Sequence, residues 1–173
     1  GLRGEVNFPA FEQALKGFSR YASGQDRLLV LIDYTKPSTE KRFYILDLLQ
    51  KKLLLSTYVA HGRGSGDNYA VAFSNRPGSY QSSLGFFRTG DTYMGKNGYS
   101  LFLDGLEKGI NDKARERAIV VHGANYADPA VLKGQQRLGR SLGCPALPPD
   151  ISKQVIDTIK GGVLLYIYGL NKA

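Results

Sequence analysis

The chain has no tryptophan, one cysteine, one methionine and two histidines among its 173 residues. With one Cys, neither an intramolecular disulfide framework nor a Cys-rich zinc module can form. Two His and one Cys supply at most one small soft-ligand metal site. No apolar run approaches the roughly 20 residues of a membrane span. Repeats, charge blocks and low-complexity tracts are also missing, and no secretory leader pattern precedes Gly1, which fits a processed or trimmed form.

What is present points to a folded, strand-rich chain. Hydrophobic residues make up 42% and charged residues 22%, enough apolar content to fold. The length suits one domain, residues 1–173. Twenty-one glycines exceed the usual ~7% and favour turns and strands over a helical bundle. Lys and Arg number 23 against 15 Asp and Glu, a net charge of +8. Such a balance fits an acidic partner: nucleic acid, an anionic membrane surface or a cell-wall polymer. Nucleic acid is not the expected partner. The basic residues are scattered, with no tract longer than Lys41-Arg42 or Lys51-Lys52, and no recognition motif occurs.

Residues 8 to 22 carry Phe8, Phe11, Leu15 and Phe18 at helical spacing behind Asn7, a candidate N-cap. Runs at 28–34, 42–48 and 53–60 predict an antiparallel meander. Short strands are expected at 69–73, 86–89, 99–103 and 118–122, with a charged helical turn or two at 112–118. From 123 to 150 the chain reads as loop. Asp150 then caps a helix bearing Ile151, Val155, Ile156 and Ile159, which ends at Gly161 and Gly162. Residues 163–168 are almost wholly apolar, as in a central strand. The fold class is α+β and β-rich, with the 8–22 helix docked on the rest.

Two residues stand out chemically. Cys144 lies in Gly139-Arg140-Ser141-Leu142-Gly143-Cys144-Pro145, a tight turn rather than a strand or helix interior. A lone cysteine is commonly an inert core residue. Here Arg140 brings positive charge nearby, and a Gly-Cys turn can aim backbone N–H groups at one point beside a nucleophile. Both effects lower a thiol pKa from about 8.5. His122 ends an apolar strand and precedes Gly123. It is either a satisfied structural histidine or the base partner of Cys144, a role that requires hydrogen-bond reach. His61 ends another strand and opens Gly62-Arg63-Gly64-Ser65-Gly66, which matches neither phosphate-binding glycine pattern. A zinc site from His61, His122 and Cys144 is chemically legitimate but lacks the close paired spacing of zinc motifs. Paired carboxylates have no clear candidate, and a Ser-His-Asp triad lacks its G-x-S-x-G elbow.

His122-Gly123 followed by Ser141-Leu142-Gly143-Cys144 resembles the H-G … S-x-G-C signature of L,D-transpeptidase catalytic domains. Val59-Ala60-His61-Gly62-Arg63 and Ser82-Ser83-Leu84-Gly85-Phe86-Phe87 resemble two further segments of that family, in the same order. The match is best to the divergent, YkuD-like murein branch, whose segments resemble 59–66, 73–75, 82–86, 105–112 and 121–126. Two positions depart from the common pattern: Leu142, and Ala146 where Arg or Asn is usual.

The resemblance implies a mixed β-sheet or sandwich catalytic domain over 1–173. It also implies a bacterial, cysteine-dependent peptidoglycan transpeptidase of the periplasm or cell envelope, needing no cofactor and no metal. Cys144 would attack a stem-peptide carbonyl, His122 would take the thiol proton, and the Gly123 carbonyl would orient the imidazole. Gly143 and Cys144 N–H groups would bind the oxyanion. A thioester would then pass to an amine or to water, the latter giving carboxypeptidase activity. Ser141, Arg140, His61 and Tyr93 are candidates for substrate contact, Arg140 toward a peptide carboxylate. Two readings stand beside this one: a catalytically silent wall-binding module on the same fold, and a zinc hydrolase.

Overall fold

The computed structural model describes Leu2 and residues 4–172. Leu29 and Leu31 of β1 (Leu28–Asp33) face one way and Val30 and Ile32 the other, and both faces are buried. That continuous apolar character belongs to an interior strand. β1 pairs antiparallel with β2 (Phe43–Asp47), which pairs antiparallel with β3 (Lys52–Thr57). On its other side β1 runs parallel to β8 (Leu164–Tyr168), the last strand of the chain. β8 pairs in turn with β4 (Gly85–Gly95), which forms a long hairpin with β5 (Gly98–Gly105). β6 (Val120–Gly123) and the two-residue β7 (Ala146–Leu147) complete one eight-stranded sheet, ordered β3-β2-β1-β8-β4-β5-β6-β7. The 28–60 meander and the central position of 164–168 follow the sequence expectation.

Each sheet face carries a helix. α2 (Pro149–Ile159) buries Val155, Ile156 and Ile159 against Val121, Leu101, Phe87 and Leu165. Pro148 stands at its N-cap, with Asp150 inside the first turn, where a carboxylate favours the helix dipole. α1 (Phe8–Tyr21) covers Leu29, Leu31, Tyr44, Leu46 and Leu164 on the opposite face. Of the Phe8-Phe11-Leu15-Phe18 row that its spacing suggests, Phe11 and Phe18 pack partly buried against this cluster, while Phe8 and Leu15 are exposed. The fully buried positions of α1 are the small ones, Ala10, Ala14 and Gly17. The sheet already presents bulky rings here, Phe86 stacked on Tyr166 at 4.2 Å, so only small residues let the helix backbone approach. Asn7 occupies the N-cap without a side-chain cap bond.

Elsewhere the departures are local. Residues 69–73 make only an isolated bridge, Gly66 to Ala70. Residues 112–118 do form turns, with Arg117 N–H closing one onto the Lys113 carbonyl at 2.9 Å. β4 is far longer than expected because it continues past a register shift between Thr89 and Thr92. Among the described residues, no helix is long and apolar enough to cross a membrane.

The close docking of α1 yields a test of sign. Helix propensity favours Gly17→Ala by ~1 kcal/mol, but a Cβ at Gly17 would fall inside the Phe86 ring. Overpacking of this kind costs about 1–3 kcal/mol. Urea unfolding should therefore show Gly17→Ala destabilised, and a stabilised variant would refute the docking.

Candidate active site

Small residues bring three backbone segments together around Cys144. The segment after β3 lies against the segment leading into β7. Ala60 and Ala146 exchange N–H···O bonds of 2.8 and 3.2 Å, Ser141 N–H donates to the His61 carbonyl at 2.9 Å, and Arg63 N–H donates to the Ser141 carbonyl at 2.8 Å. Gly62 permits this approach, since a Cβ there would lie 2.5 Å from the Tyr80 oxygen and 2.8 Å from Gly143 Cα. On the other side β7 runs parallel to β6, placing Ala146 opposite His122.

Buried serines fasten the turn from within. The Ser141 hydroxyl donates to the Cys144 carbonyl at 2.6 Å and accepts the Gly143 N–H at 3.1 Å. The Ser82 hydroxyl accepts the Gly62 N–H at 3.0 Å and donates to the Gly143 carbonyl at 3.3 Å. Ser65 holds Ser82 in turn, accepting its N–H at 2.8 Å. Gly143 adopts φ +127°, where a side chain would be strained and would meet Ile119.

Cys144 is 9% exposed. Its thiol donates to the Ala118 carbonyl at 3.5 Å and accepts the Val120 N–H at 3.4 Å. His122, two residues along β6, places Nδ1 2.9 Å from the Gly123 carbonyl. Nδ1–H is therefore the donor, and Nε2 is left as the basic nitrogen. The thiol is bonded to the β6 backbone at the Val120 N–H, two residues before His122. No hydrogen bond joins the thiol to the imidazole. Burial is the main influence on both groups. It pushes the Cys144 thiol up against the opposing pull of the Val120 N–H and the Arg117 charge. It pushes His122 down despite the Gly123 carbonyl. The expected lowering of the thiol pKa is thus reversed, and the resting pair is neutral thiol and neutral imidazole.

The remaining predicted residues fall in different places. Gly143 N–H is consumed by Ser141, so it is not free for an oxyanion. Cys144 N–H and Leu142 N–H have no protein acceptor among the described residues. Arg140 turns away from the thiol, donating to the Gly66 carbonyl at 3.1 Å and lying 4.0 Å from Asp67. His61, expected at the rim, is buried beneath it. Its Nδ1 accepts from Arg42 at 2.8 Å, and Nε2 faces the Gly66 carbonyl at 3.4 Å. With a guanidinium on one nitrogen and a carbonyl on the other, His61 cannot join a zinc site with His122 and Cys144. Among the described residues, no group of three metal-ligating side chains forms elsewhere. Tyr93 lies on β4 in register with Ser100, which is itself opposite His122, and stacks on Phe102 at 4.3 Å.

Two groups near the thiol were not singled out from the sequence. Tyr126, in the turn after His122, has its hydroxyl pushed up to about 12 by burial and by the nearby Cys144. Arg117 supplies the cation that Arg140 does not. Only the V-H-G-A-N-Y likeness pointed toward Tyr126, and Arg117 looks in sequence like any solvated charge. Two depressions reach residues near Cys144 or His122 in sequence, though neither is lined by Cys144 or His122 themselves. One of 540 Å³ reaches Gly123 between Tyr99, Tyr126 and Ser152. The other, of 310 Å³, reaches Leu142 between Tyr80, Glu116 and Arg117. A groove of 530 Å³ along α1 touches neither Cys144 nor His122.

A family model described as the L,D-transpeptidase catalytic domain matches residues 2–168. Among solved structures, the chain is similar to the helical cell shape determining protein Pgp2 from Campylobacter jejuni. That match has 17% identity and a TM-score of 0.56, over 86% of this chain and 50% of that one. It is also similar to an L,D-transpeptidase from Mycobacterium smegmatis, with 13% identity and a TM-score of 0.50 over 83% and 59% of the two chains. A third similar structure is the L,D-transpeptidase from Stackebrandtia nassauensis, with 15% identity and a TM-score of 0.50 over 89% and 61%. At these identities the likeness is one of fold. The chain spans about half to three-fifths of the length of these structures. No curated protein matches it in sequence.

Burial of His61 has a measurable consequence. Its pKa is lowered to about 3, first by burial and then by Arg42, against 6.5 when unfolded. The unfolded chain therefore takes up a proton that the folded chain refuses. The stability held by neutral His61 is complete above pH 6.5 and is lost progressively as pH falls toward 3. His61→Gln keeps an acceptor for Arg42 and removes this titration. Urea unfolding at neutral and mildly acidic pH should show a shallower acid loss in His61→Gln than in wild type; equal slopes would contradict a buried neutral His61.

Proposed function

The chain belongs to the L,D-transpeptidase catalytic domain family, and from that premise we propose that it is a cysteine acyltransferase acting on peptidoglycan stem peptides. The observation that carries this reading is the clamped turn 141–144, which fixes Cys144 beside the β6 strand bearing His122. A buried thiol with no catalytic task would not need three backbone segments and three serines to hold it. The free Cys144 and Leu142 N–H groups at the same turn support oxyanion binding there.

The proposed cycle begins when the Cys144 side chain rotates away from the Ala118 carbonyl toward His122. Nε2 takes the thiol proton while sulfur attacks the carbonyl carbon at the L-centre of the stem's diamino acid. Negative charge on the carbonyl oxygen is met by the Cys144 N–H, with Leu142 N–H as a second donor. The carbon–nitrogen bond to the terminal D-alanine then breaks, and His122 returns its proton to the leaving amine. A thioester remains on Cys144. An amine from a second stem attacks it, passes a proton to Nε2, and the carbon–sulfur bond breaks to restore the thiol. Water in place of the amine gives a trimmed stem and carboxypeptidase activity. The Gly123 carbonyl keeps Nδ1 protonated throughout, so Nε2 is the nitrogen that exchanges. Tyr93 is the predicted substrate contact that strand register aligns with His122, through Ser100; Arg140 would reach substrate only by releasing Gly66 and Asp67.

We also place the protein in the periplasm or cell envelope, where its polymer is found, and the charge of +8 suits an anionic wall. No cofactor is required by this chemistry.

The raised thiol, which makes no hydrogen bond to His122, favours one second reading, a wall-binding module without turnover. Incubation with defined tetrapeptide muropeptides and mass spectrometry separates the two. Wild type should gain a stem-peptide mass less alanine, and Cys144→Ala should gain none while remaining folded. His122→Gln should slow adduct formation by about 10²–10⁴-fold. Wild type that binds muropeptides without any adduct would leave only the binding module.

A further inference from the structure

Arg117 is half-buried in the turn before β6 and has no carboxylate partner among the described residues. Its Nη1 donates to the Ser74 carbonyl at 2.8 Å and the Ser83 hydroxyl at 2.7 Å. Its Nη2 donates to the Ser79 hydroxyl at 3.1 Å and the Gln81 carbonyl at 2.7 Å. A guanidinium has five N–H donors, so these bonds occupy four of them, and bidentate capture of a substrate carboxylate is closed to it. All four acceptors are neutral, so the positive charge is not cancelled where it is held. It is held beside the nucleophile turn: Nη2 lies 3.6 Å from the position a Cβ would take on Gly143, and Arg117 shares the 310 Å³ depression with Leu142. The other side chains near the thiol are His122 on β6, Tyr126 in the following turn and Tyr34 at the end of β1. Glu116 lines the same depression as Arg117. Arg140 is turned to Gly66, and Ala146 is uncharged.

On the reading of Cys144 as nucleophile, we propose that Arg117 is a positioning residue that stabilises the anionic sulfur electrostatically and pins the 74–83 segment as one wall of the nucleophile turn. The electrostatic half agrees with the mutual influence of the two groups, Arg117 drawing the thiol down and Cys144 drawing the guanidinium up, each against burial.

The test is the pH profile of Cys144 alkylation by iodoacetamide, read without stem peptides so that it does not depend on transfer activity. Arg117→Gln should move the profile upward by about one pH unit, making alkylation roughly tenfold slower at a pH below the midpoint. Transfer to a stem amine should fall in kcat with KM little changed. Arg117→Lys keeps the charge and should recover more than half of the shift. Ser79→Ala loses the hydroxyl's bonds to Arg117 and to the Gln81 N–H but no charge, and should leave the profile in place. An unmoved profile in folded Arg117→Gln overturns the proposal. So does a shift in Ser79→Ala as large as that in Arg117→Gln. If Arg117→Gln does not fold, Arg117→Lys decides: a profile displaced upward by about a full unit overturns it and a near-native one supports it. A wild type that forms no thioester but shows an Arg117-dependent profile would refute the transpeptidase reading and leave this one standing.

Discussion

The site hangs from a single buried cation. Arg42, on the approach to β2, is fully buried and donates to the Val59 carbonyl through Nε and Nη2, to the Lys36 carbonyl through Nη1, and to His61 Nδ1. Its charge also lies over the Tyr34 ring at 4.8 Å. Burial pulls its pKa down to about 10, which still leaves it charged at neutral pH. A charge so placed is costly unless its donors are satisfied, and the groups that satisfy it are the backbone and side chain of 59–61. Those residues are thereby fixed, and the His61 carbonyl is fixed with them. Ser141 bonds to that carbonyl, and the Ser141 hydroxyl then sets the Gly143 and Cys144 backbone. Hydrogen bonds thus link the Arg42 guanidinium, residue by residue, to the backbone of Cys144.

This arrangement explains why His61 and His122, alike in sequence, differ in role. Each ends an apolar strand and precedes a glycine. His61 has both ring nitrogens committed, one to a cation, so it acts as a neutral spacer inside the scaffold. His122 has one nitrogen committed to its neighbour's carbonyl and the other left over. The difference lies in what the rest of the sheet brings against each ring, which spacing alone does not reveal. The same holds for the two arginines. Arg140 is near Cys144 in sequence and is drawn to the 66–67 turn. Arg117 is 27 residues away and is brought to the thiol by β6 pairing with β7.

β1, β2, β3 and β8 are legible in the sequence because they are strongly apolar and separated by turn residues. The β4–β5 hairpin is less legible because its outer half, Thr92 to Gly98, has little apolar content and is held by cross-strand pairing and the Tyr93–Phe102 stack. Residues 69–73 look like a strand because Tyr69, Val71 and Phe73 alternate. In the fold they have no neighbouring strand to join, and Val71 N–H and Ala72 N–H both turn to the Ser65 carbonyl. In α1 the spacing finds Phe11 and Phe18 but not the small residues that let the helix approach, since it identifies apolar residues and not the bulk of the surface they must fit. At the site, the Gly-Cys turn and His122 could be found from residue types, whereas the engagement of Gly143 N–H by Ser141 required three dimensions.

A cysteine held as the neutral thiol has a physical logic. A thiolate only 9% exposed would be costly to bury. Here Ala118, at φ +54°, presents its carbonyl to the thiol, an acceptor that only the protonated form can satisfy. Left-handed backbone at a non-glycine residue costs free energy, and in this position it stabilises the thiol over the thiolate. The Val120 N–H and the Arg117 charge act in the other direction, favouring the thiolate. Burial is the largest of these influences and favours the thiol, so the proton stays on the sulfur that points at Ala118. The serine clamp around 141–144 fixes the backbone of the turn and thereby holds the sulfur between the Ala118 carbonyl and the Val120 N–H.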